Sequence, residues 1–261
     1  MFDSHCHLDA PEFDADRVQV LQRARAAGVH TLVLPAIRAA DFIALANMCA
    51  PDANLAFALG LHPICLREHR ADHLIELANY FRDGVNGQRA CAVGECGLDY
   101  FLPDLDQTQQ MFYFEVQLRL AREFDLPVIV HARRAHDAVI HGLRRFGISK
   151  GVVHSFAGSA EQSDALFKMG IHIGIGGPIT YPRAQRLRSI VQNMPIEYLL
   201  LETDAPDQPL MGRQGARNEP AYLTDVASCI AQLRGTPLAE LIAATDANSA
   251  QLFKITGSAS A

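Results

Sequence analysis

Lysine is nearly missing from this 261-residue chain, which holds only Lys150, Lys168 and Lys254. Acidic side chains outnumber basic ones, 29 to 23, for a formal charge of −6. That balance excludes a coat-like protein gripping DNA through a broad basic face, and equally a polybasic membrane clamp. No apolar run approaches the roughly 18 residues of a membrane span, and Met1-Phe2-Asp3-Ser4-His5 does not begin a signal peptide. The six cysteines, at 6, 49, 65, 91, 96 and 229, form no CxxC pair that would suggest zinc or redox chemistry. A chain this long buries a full core without staples, so reduced thiols in a cytoplasmic protein are expected. Glycine fingerprints for dinucleotides and P-loop phosphates are absent, and Gly174-Ile175-Gly176-Gly177-Pro178 reads as a tight strand exit. No GxSxG nucleophile elbow occurs either.

What the chain does have is a recurrence of short apolar runs: 2–7, 31–35, 55–59, 90–95, 127–131, 151–154, 171–175 and 198–202. Most are apolar at consecutive positions, as strands buried on both faces should be. Between them apolar residues recur at helical spacing, as in Val18-Leu21-Ala24 and Phe112-Val116-Leu120-Phe124. Two further helices, over 220–233 and 238–253, follow the eighth run. Eight β-α units in one chain of this length predict an α/β fold, a (β/α)8 TIM barrel, in a single domain over 1–255. Residues 256–261 are small and polar and read as a short disordered tail.

Chemistry in such a barrel gathers where strands end. The first run ends His5-Cys6-His7, and strand alternation sends both histidines to one face. The fourth ends at Glu95, the fifth at His131, the sixth at His154, and the eighth just before Asp204. Any one of these histidines alone is more often a core residue than a ligand. Together, four imidazoles and two carboxylates at one rim suit a pair of divalent cations, with Zn²⁺, Mn²⁺, Fe²⁺ and Mg²⁺ as candidates. None of the three lysines ends the fourth run, so a carbamylated-lysine bridge is excluded and a carboxylate bridge at Glu95 takes its place. His62, in Gly60-Leu61-His62-Pro63 after the third run, reads either as a contact to substrate or metal-bound water, or as a plain loop histidine. His69 and His73 fall in a charged stretch and read as a solvated helix face, while His172 starts the seventh run on the far side. A Ser155–His154 or Cys96 nucleophile is poorly supported, since no free histidine is left as its base.

Those same segments resemble a known family. Asp3-Ser4-His5-Cys6-His7-Leu8-Asp9, Gly60-Leu61-His62-Pro63, Gly94-Glu95-Cys96-Gly97-Leu98-Asp99-Tyr100, Pro127 to Arg133, His154-Ser155-Phe156-Ala157-Gly158, Glu202-Thr203-Asp204-Ala205-Pro206 and Arg217-Asn218-Glu219-Pro220 are similar, in order, to the motifs of the TatD family of metal-dependent deoxyribonucleases. The resemblance spans the chain from residue 3 to about 253. It implies a TIM-barrel hydrolase with two metal ions: His5, His7 and Asp204 around one, His131 and His154 around the other, Glu95 bridging. It also implies phosphodiester hydrolysis, commonly as a 3′→5′ exonuclease on the 3′ end of DNA. Cys96, the serine and alanine in 154–158, and Ala-Pro-Asp-Gln-Pro after Asp204 depart from the usual pattern without removing a ligand.

On that reading Asp204 is the general base and Glu202 orients a ligand from behind. Arg133 and Arg217 would hold phosphates, or else sit in surface salt bridges; Tyr100 would stack on a base, or simply pack at the rim. The alternative is a same-fold metallohydrolase of a carbonyl substrate: a cyclic amide, a lactone or an aminoacyl-tRNA ester. A monomer without stable protein partners is the expectation. The net charge is unevenly spread, for residues 131–193 hold nine Arg and Lys against three Asp and Glu. Any nucleic-acid contact should therefore be local and centred on the metals, with a shallow salt dependence.

Overall fold

A computed structural model describes residues 1–255; the expected disordered tail, 256–261, lies outside the described residues. Eight parallel strands form one sheet in sequential order: β1 Phe2–Asp3, β2 Thr31–Pro35, β3 Leu55–Leu59, β4 Ala92–Asp99, β5 Val128–Arg133, β6 Gly151–Val153, β7 Ile171–Ile175 and β8 Leu199–Leu201. The ring closes between its ends, where Ser4 N–H donates to Leu201 O (2.9 Å), Asp204 N–H to His5 O (2.9 Å) and His7 N–H to Ala205 O (2.8 Å). The helices are α1 Arg17–Ala26, α2 Phe42–Cys49, α3 Ala71–Asp83, α4 Gln107–Glu123, α5 His136–Arg145, α6 Ala160–Phe167, α7 Gln185–Asn193, α8 Leu223–Arg234 and α9 Leu238–Phe253. This is the (β/α)8 barrel that the eight runs predict. No helix among the described residues is long and apolar enough to cross a membrane.

Two apolar layers hold it together. The larger packs the outer faces of the strands against the helices, with Leu32, Leu34, Phe114, Leu118 and Leu201 fully buried. The smaller fills the barrel's lower interior with Phe2, Val33, Ala58, Ala92, Ile129, Val152 and Leu200, and α9 closes the floor through Leu252 and Phe253. Alternation then lifts the chain from floor to site. Two residues beyond Ile129, Val152 and Leu200, on the same inward side, stand His131, His154 and Glu202. Water excluded below and polar groups converging above follow from one period-2 pattern.

Three strand bounds depart from expectation by more than one residue, and the simplest is β5, which runs two residues past His131 to Arg133. β1 is only two residues long, so His5 and His7 lie beyond it, in a segment that bonds alternately to its two neighbours; Cys6 N–H donates to Val33 O. Glu95 does not end β4. The β4–β5 register shifts between Val93 and Cys96, a bulge that turns Glu95 inward, and the strand then runs on to Asp99.

Candidate metal centre

Glu95 is the hub of the site, and its two oxygens face different histidines. Oε2 lies 3.2 Å from His5 Nε2 and 3.5 Å from His7 Nε2. Oε1 lies 2.7 Å from His154 Nε2, 2.9 Å from His62 Nε2 and 3.2 Å from His131 Nδ1. Asp204 Oδ1 joins the first group, 3.5 Å from His5 Nε2 and 3.6 Å from His7 Nε2. Burial opposes the charge on Glu95, yet the imidazoles of His154, His62, His5 and His131 hold its pKa well below the usual carboxylate range.

This donor set fits divalent cations on its chemistry. A neutral imidazole has one N–H and one lone pair, and an ionised carboxylate has no donor at all. Here ring nitrogens crowd each other as well as Glu95: His5 Nε2 and His7 Nε2 are 3.2 Å apart, His131 Nδ1 and His154 Nε2 3.3 Å. The far nitrogens of His5 and His154 are buried without partners, as is Glu202 Oε2. Lone pairs brought together this closely repel unless protons or a metal cation sit among them. Among the described residues, three combinations bring ligand atoms within 4.8 Å of one another: His5, His7 and Glu95; His62, Glu95 and His131; His5, His154 and Glu202.

Around the donors lies a supporting shell, most of it drawn from distant parts of the chain. Asp3 braces the two ends of the ring, accepting from Thr203 Oγ1 (2.6 Å), Thr203 N–H (3.0 Å) and His5 N–H (3.3 Å). Asp99 Oδ2 faces His131 Nε2 at 3.3 Å, which turns His131 Nδ1 toward Glu95. Glu202 Oε1 accepts from Ser155 N–H at 2.5 Å, and burial pushes its pKa up to about 8. Gln208 Nε2 donates to Asp204 Oδ2 at 2.5 Å and to Ser155 Oγ, whose own hydroxyl is 3.4 Å from the same carboxylate oxygen. Asp204 (φ 54°) and Gln208 (φ 52°) both adopt the left-handed region, which costs side-chain-bearing residues energy. Asn218 holds that loop in place, its amide donating to Thr203 O and Asp207 O at 2.9 Å each.

His5, His7, Glu95, His131, His154 and Asp204 thus come together, with Glu202 beside them and His62 against Glu95. Asp99, Gln208, Asp3 and Ser155 as a scaffold had not been singled out. For Asp99 a signal existed: it is four residues past Glu95 on the same strand. Two open alternatives are decided, those for Arg217 and Tyr100, and one expectation, that for His69, needs correcting. Arg217 does not reach the site, because its guanidinium is occupied by Asp16 (2.7 and 2.8 Å), Glu219 (2.8 Å) and Glu12 O (2.7 Å). Tyr100 is half-buried off the cavity, while the neighbouring Phe101 is 41% exposed under the guanidinium of Arg133, 3.8 Å away. His69 is not on a solvated face: α3 begins only at Ala71, and His69 is buried with Nε2 2.8 Å from His62 O.

Above the donors opens a cavity of about 960 Å³. Its walls differ in charge. The end of β5 and the turn after it contribute Arg133 and Arg134, and the start of α7 contributes Arg186, whereas Asp9, Glu12 and Asp41 line the opposite side, where Arg38 is paired with Asp41 at 2.8 Å. The basic wall is the tertiary expression of the basic segment 131–193.

Comparison with known proteins shows the family and the fold. A family model described as TatD related DNase matches residues 2–254. The chain is 40% identical over 254 residues to an uncharacterized metal-dependent hydrolase, YjjV, of Escherichia coli K12, covering 97% of each. It is 34% identical over 261 residues to the 3′-5′ ssDNA/RNA exonuclease TatD of Erwinia amylovora, covering 97% of this chain and 99% of that one. The crystal structure of YjjV, a TatD homolog from Escherichia coli K12, superposes with a TM-score of 0.94 over 98% of both chains.

Proposed function

The chain belongs to the TatD-related DNase family, and from that premise we propose that it hydrolyses phosphodiester bonds at the 3′ end of DNA, one nucleotide at a time, at a centre of two divalent metal ions. The observation that carries this reading is the division of the imidazoles between the two oxygens of Glu95. His5, His7 and Asp204 would hold one ion, His131 and His154 the other, and Glu95 would touch both. The imidazole donors suit zinc, and the carboxylates suit magnesium or manganese. Such ions supply Lewis-acid polarisation of a phosphoryl oxygen and acidify water.

The chain's own groups do the rest. Asp204 is the general base: Gln208 and Ser155 fix Oδ2, and Oδ1 is aimed at the donors, where it takes the proton of the attacking water. Burial raises the Asp204 pKa, against the pull of His154 and His7, which makes its carboxylate a better proton acceptor than an exposed one. Arg133 and Arg134, on the basic wall, orient the phosphodiester. That wall also supports an anionic substrate over the alternative, a neutral cyclic amide or lactone.

End-labelled single-stranded DNA, a small phosphodiester and a cyclic amide, each assayed with and without metal, test the reading. Expected is stepwise loss of 3′ nucleotides that stops in excess chelator and returns with Mg²⁺, Mn²⁺ or Zn²⁺. Turnover of the cyclic amide alone, or undiminished nuclease activity after exhaustive chelation, would refute it.

A further inference from the structure

A second cavity, of about 380 Å³, adjoins the first behind the basic wall. It lies among the loop after β6, the exit of β7 and the start of α7, and Ser155, Ala157, Pro178, Arg186 and Gln208 line both cavities. Its volume is within the range of small-molecule sites, which begins near 300 Å³. Three properties of the lining point to a ligand class. The inner wall is apolar, with Phe156, Ile175 and Leu187. Arg183 and Arg186 are exposed at its side, and no carboxylate lines it. Finally, the guanidinium donors are largely free. Arg186 Nη2 bonds one carbonyl, Ala157 O at 2.8 Å, and Arg183 lies over the Tyr181 ring at 5.3 Å; neither forms an ion pair among the described residues.

Apolar surface beside uncompensated guanidinium groups matches one nucleotide unit, whose base offers a flat apolar face for packing and whose phosphate takes charge-assisted, bidentate hydrogen bonds. The shared residues put such a unit next to Asp204, since Gln208 both lines the cavity and donates to that carboxylate. We propose that this side cavity is a nucleotide subsite: it receives the nucleotide adjoining the scissile phosphodiester, and Arg183 and Arg186 bind the next phosphate along the strand. The assignment rests on the phosphodiesterase reading above and adds to it a requirement for a second phosphate, one nucleotide removed from the bond that breaks.

The test compares the metal-loaded wild type with an Arg183→Ala/Arg186→Ala double variant, both positions being solvent-exposed. The substrates are thymidine dinucleotides without a terminal phosphate, with a 5′-phosphate and with a 3′-phosphate. In the wild type, one of the two terminal phosphates should raise kcat/KM about 10-fold over the unphosphorylated dinucleotide, as one charge-assisted contact would. In the double variant that ratio should fall to near one. A terminal-phosphate preference that survives in the double variant, or the lack of any preference in the wild type, overturns the subsite. If the wild type cleaves neither a dinucleotide nor end-labelled single-stranded DNA, the phosphodiesterase reading falls separately. Calorimetry with thymidine 3′,5′-bisphosphate then decides the cavity alone: binding weakened about 10-fold or more in the double variant upholds it, and equal or absent binding overturns it.

Discussion

Gly174 on β7 vacates the space that the Glu202 carboxylate fills. A Cβ at position 174 would fall well inside contact distance of Glu202 Oε2. The strand pairing sets Gly174 opposite Leu200 and Ile175 opposite Leu201, so Glu202 follows directly where β8 ends, two residues past Leu200 on the same face. The missing side chain is therefore what lets a buried carboxylate reach Ser155 N–H and face His5 and His154.

Gly174→Ala should displace Glu202 without emptying the core. Overpacking of this kind costs about 1–3 kcal/mol, and loss of an outer partner of a metal ligand lowers metal affinity or activity roughly 10–100-fold. Thermal unfolding and metal titration of the purified variant check both; unaltered metal affinity would mean that Glu202 has no part in shaping the centre.

Asp204→Asn keeps the shape of the side chain and removes its basicity. Activity on a small phosphodiester should fall by about 10²–10⁴-fold, the usual range for a general base, with circular dichroism unchanged. Gln208→Ala should give a milder loss, because it frees Asp204 Oδ2 without altering the carboxylate itself. Near-wild-type turnover in Asp204→Asn would remove the role given to it.

The metal-free protein should bind metal with release of protons. Burial lowers the His7 and His154 pKa values, but contact with Glu95 and the charge of Asp204 outweigh it and hold them up to about 9 and about 10. Both rings are then protonated near pH 7 and must lose those protons to become ligands. The sign for stability follows. A folded pKa above the unfolded one means that the folded state binds more protons between the two values. Stabilisation of the metal-free form is full below about pH 6.5, the ordinary histidine value, and is lost as pH rises through 9 to 10. Between pH 7 and 10 the Tm of the chelated protein should fall while that of the metal-loaded protein changes less. Calorimetry in buffers of different ionisation enthalpy counts the protons; none released on metal binding at pH 7 would contradict this.

Binding of single-stranded DNA should depend only shallowly on salt. The basic side of the two cavities offers Arg133, Arg134, Arg183 and Arg186. At about 0.7 of a log unit per neutralised phosphate, four contacts limit the slope of log K against log salt to about −3. Anisotropy titrations between 50 and 200 mM salt measure it on the order of magnitude required, and a slope twice as steep would demand a basic surface that the acidic opposite wall does not provide.

How much of this was legible before any coordinates depends on the range of the interaction. The pairs Ile129/His131, Val152/His154 and Leu200/Glu202 obey a local rule, because alternate residues of a strand share a face, so the ascent from apolar floor to polar rim could be read off the chain. The end of α9 at Phe253 was equally legible from helical spacing. The bulge at Glu95 was not: it arises from the pairing of β4 with β5, and no pattern within β4 alone encodes it. The choice between a phosphate contact and a salt bridge for Arg217 is likewise not decided by the chain alone. Glu219 is only two residues from Arg217, but the ion pair to Asp16 exists only because the start of α1 packs beside that loop. His69 was assigned to a helix that starts two residues later, which hid its burial against His62.

By itself the sequence determined the strand count, the barrel, and a set of imidazole and carboxylate donors bound for one rim, because strand periodicity and residue chemistry are properties of neighbours in the chain. Only the tertiary structure decided which donors face which oxygen of Glu95, which arginines are free and which are spent, and that a second cavity opens beside Asp204. Those outcomes depend on ring closure, a single bulge and the packing of distant loops. Contacts between residues as far apart as Asp3 and Thr203, or Gly174 and Glu202, are set by register around the barrel rather than by anything either segment carries alone.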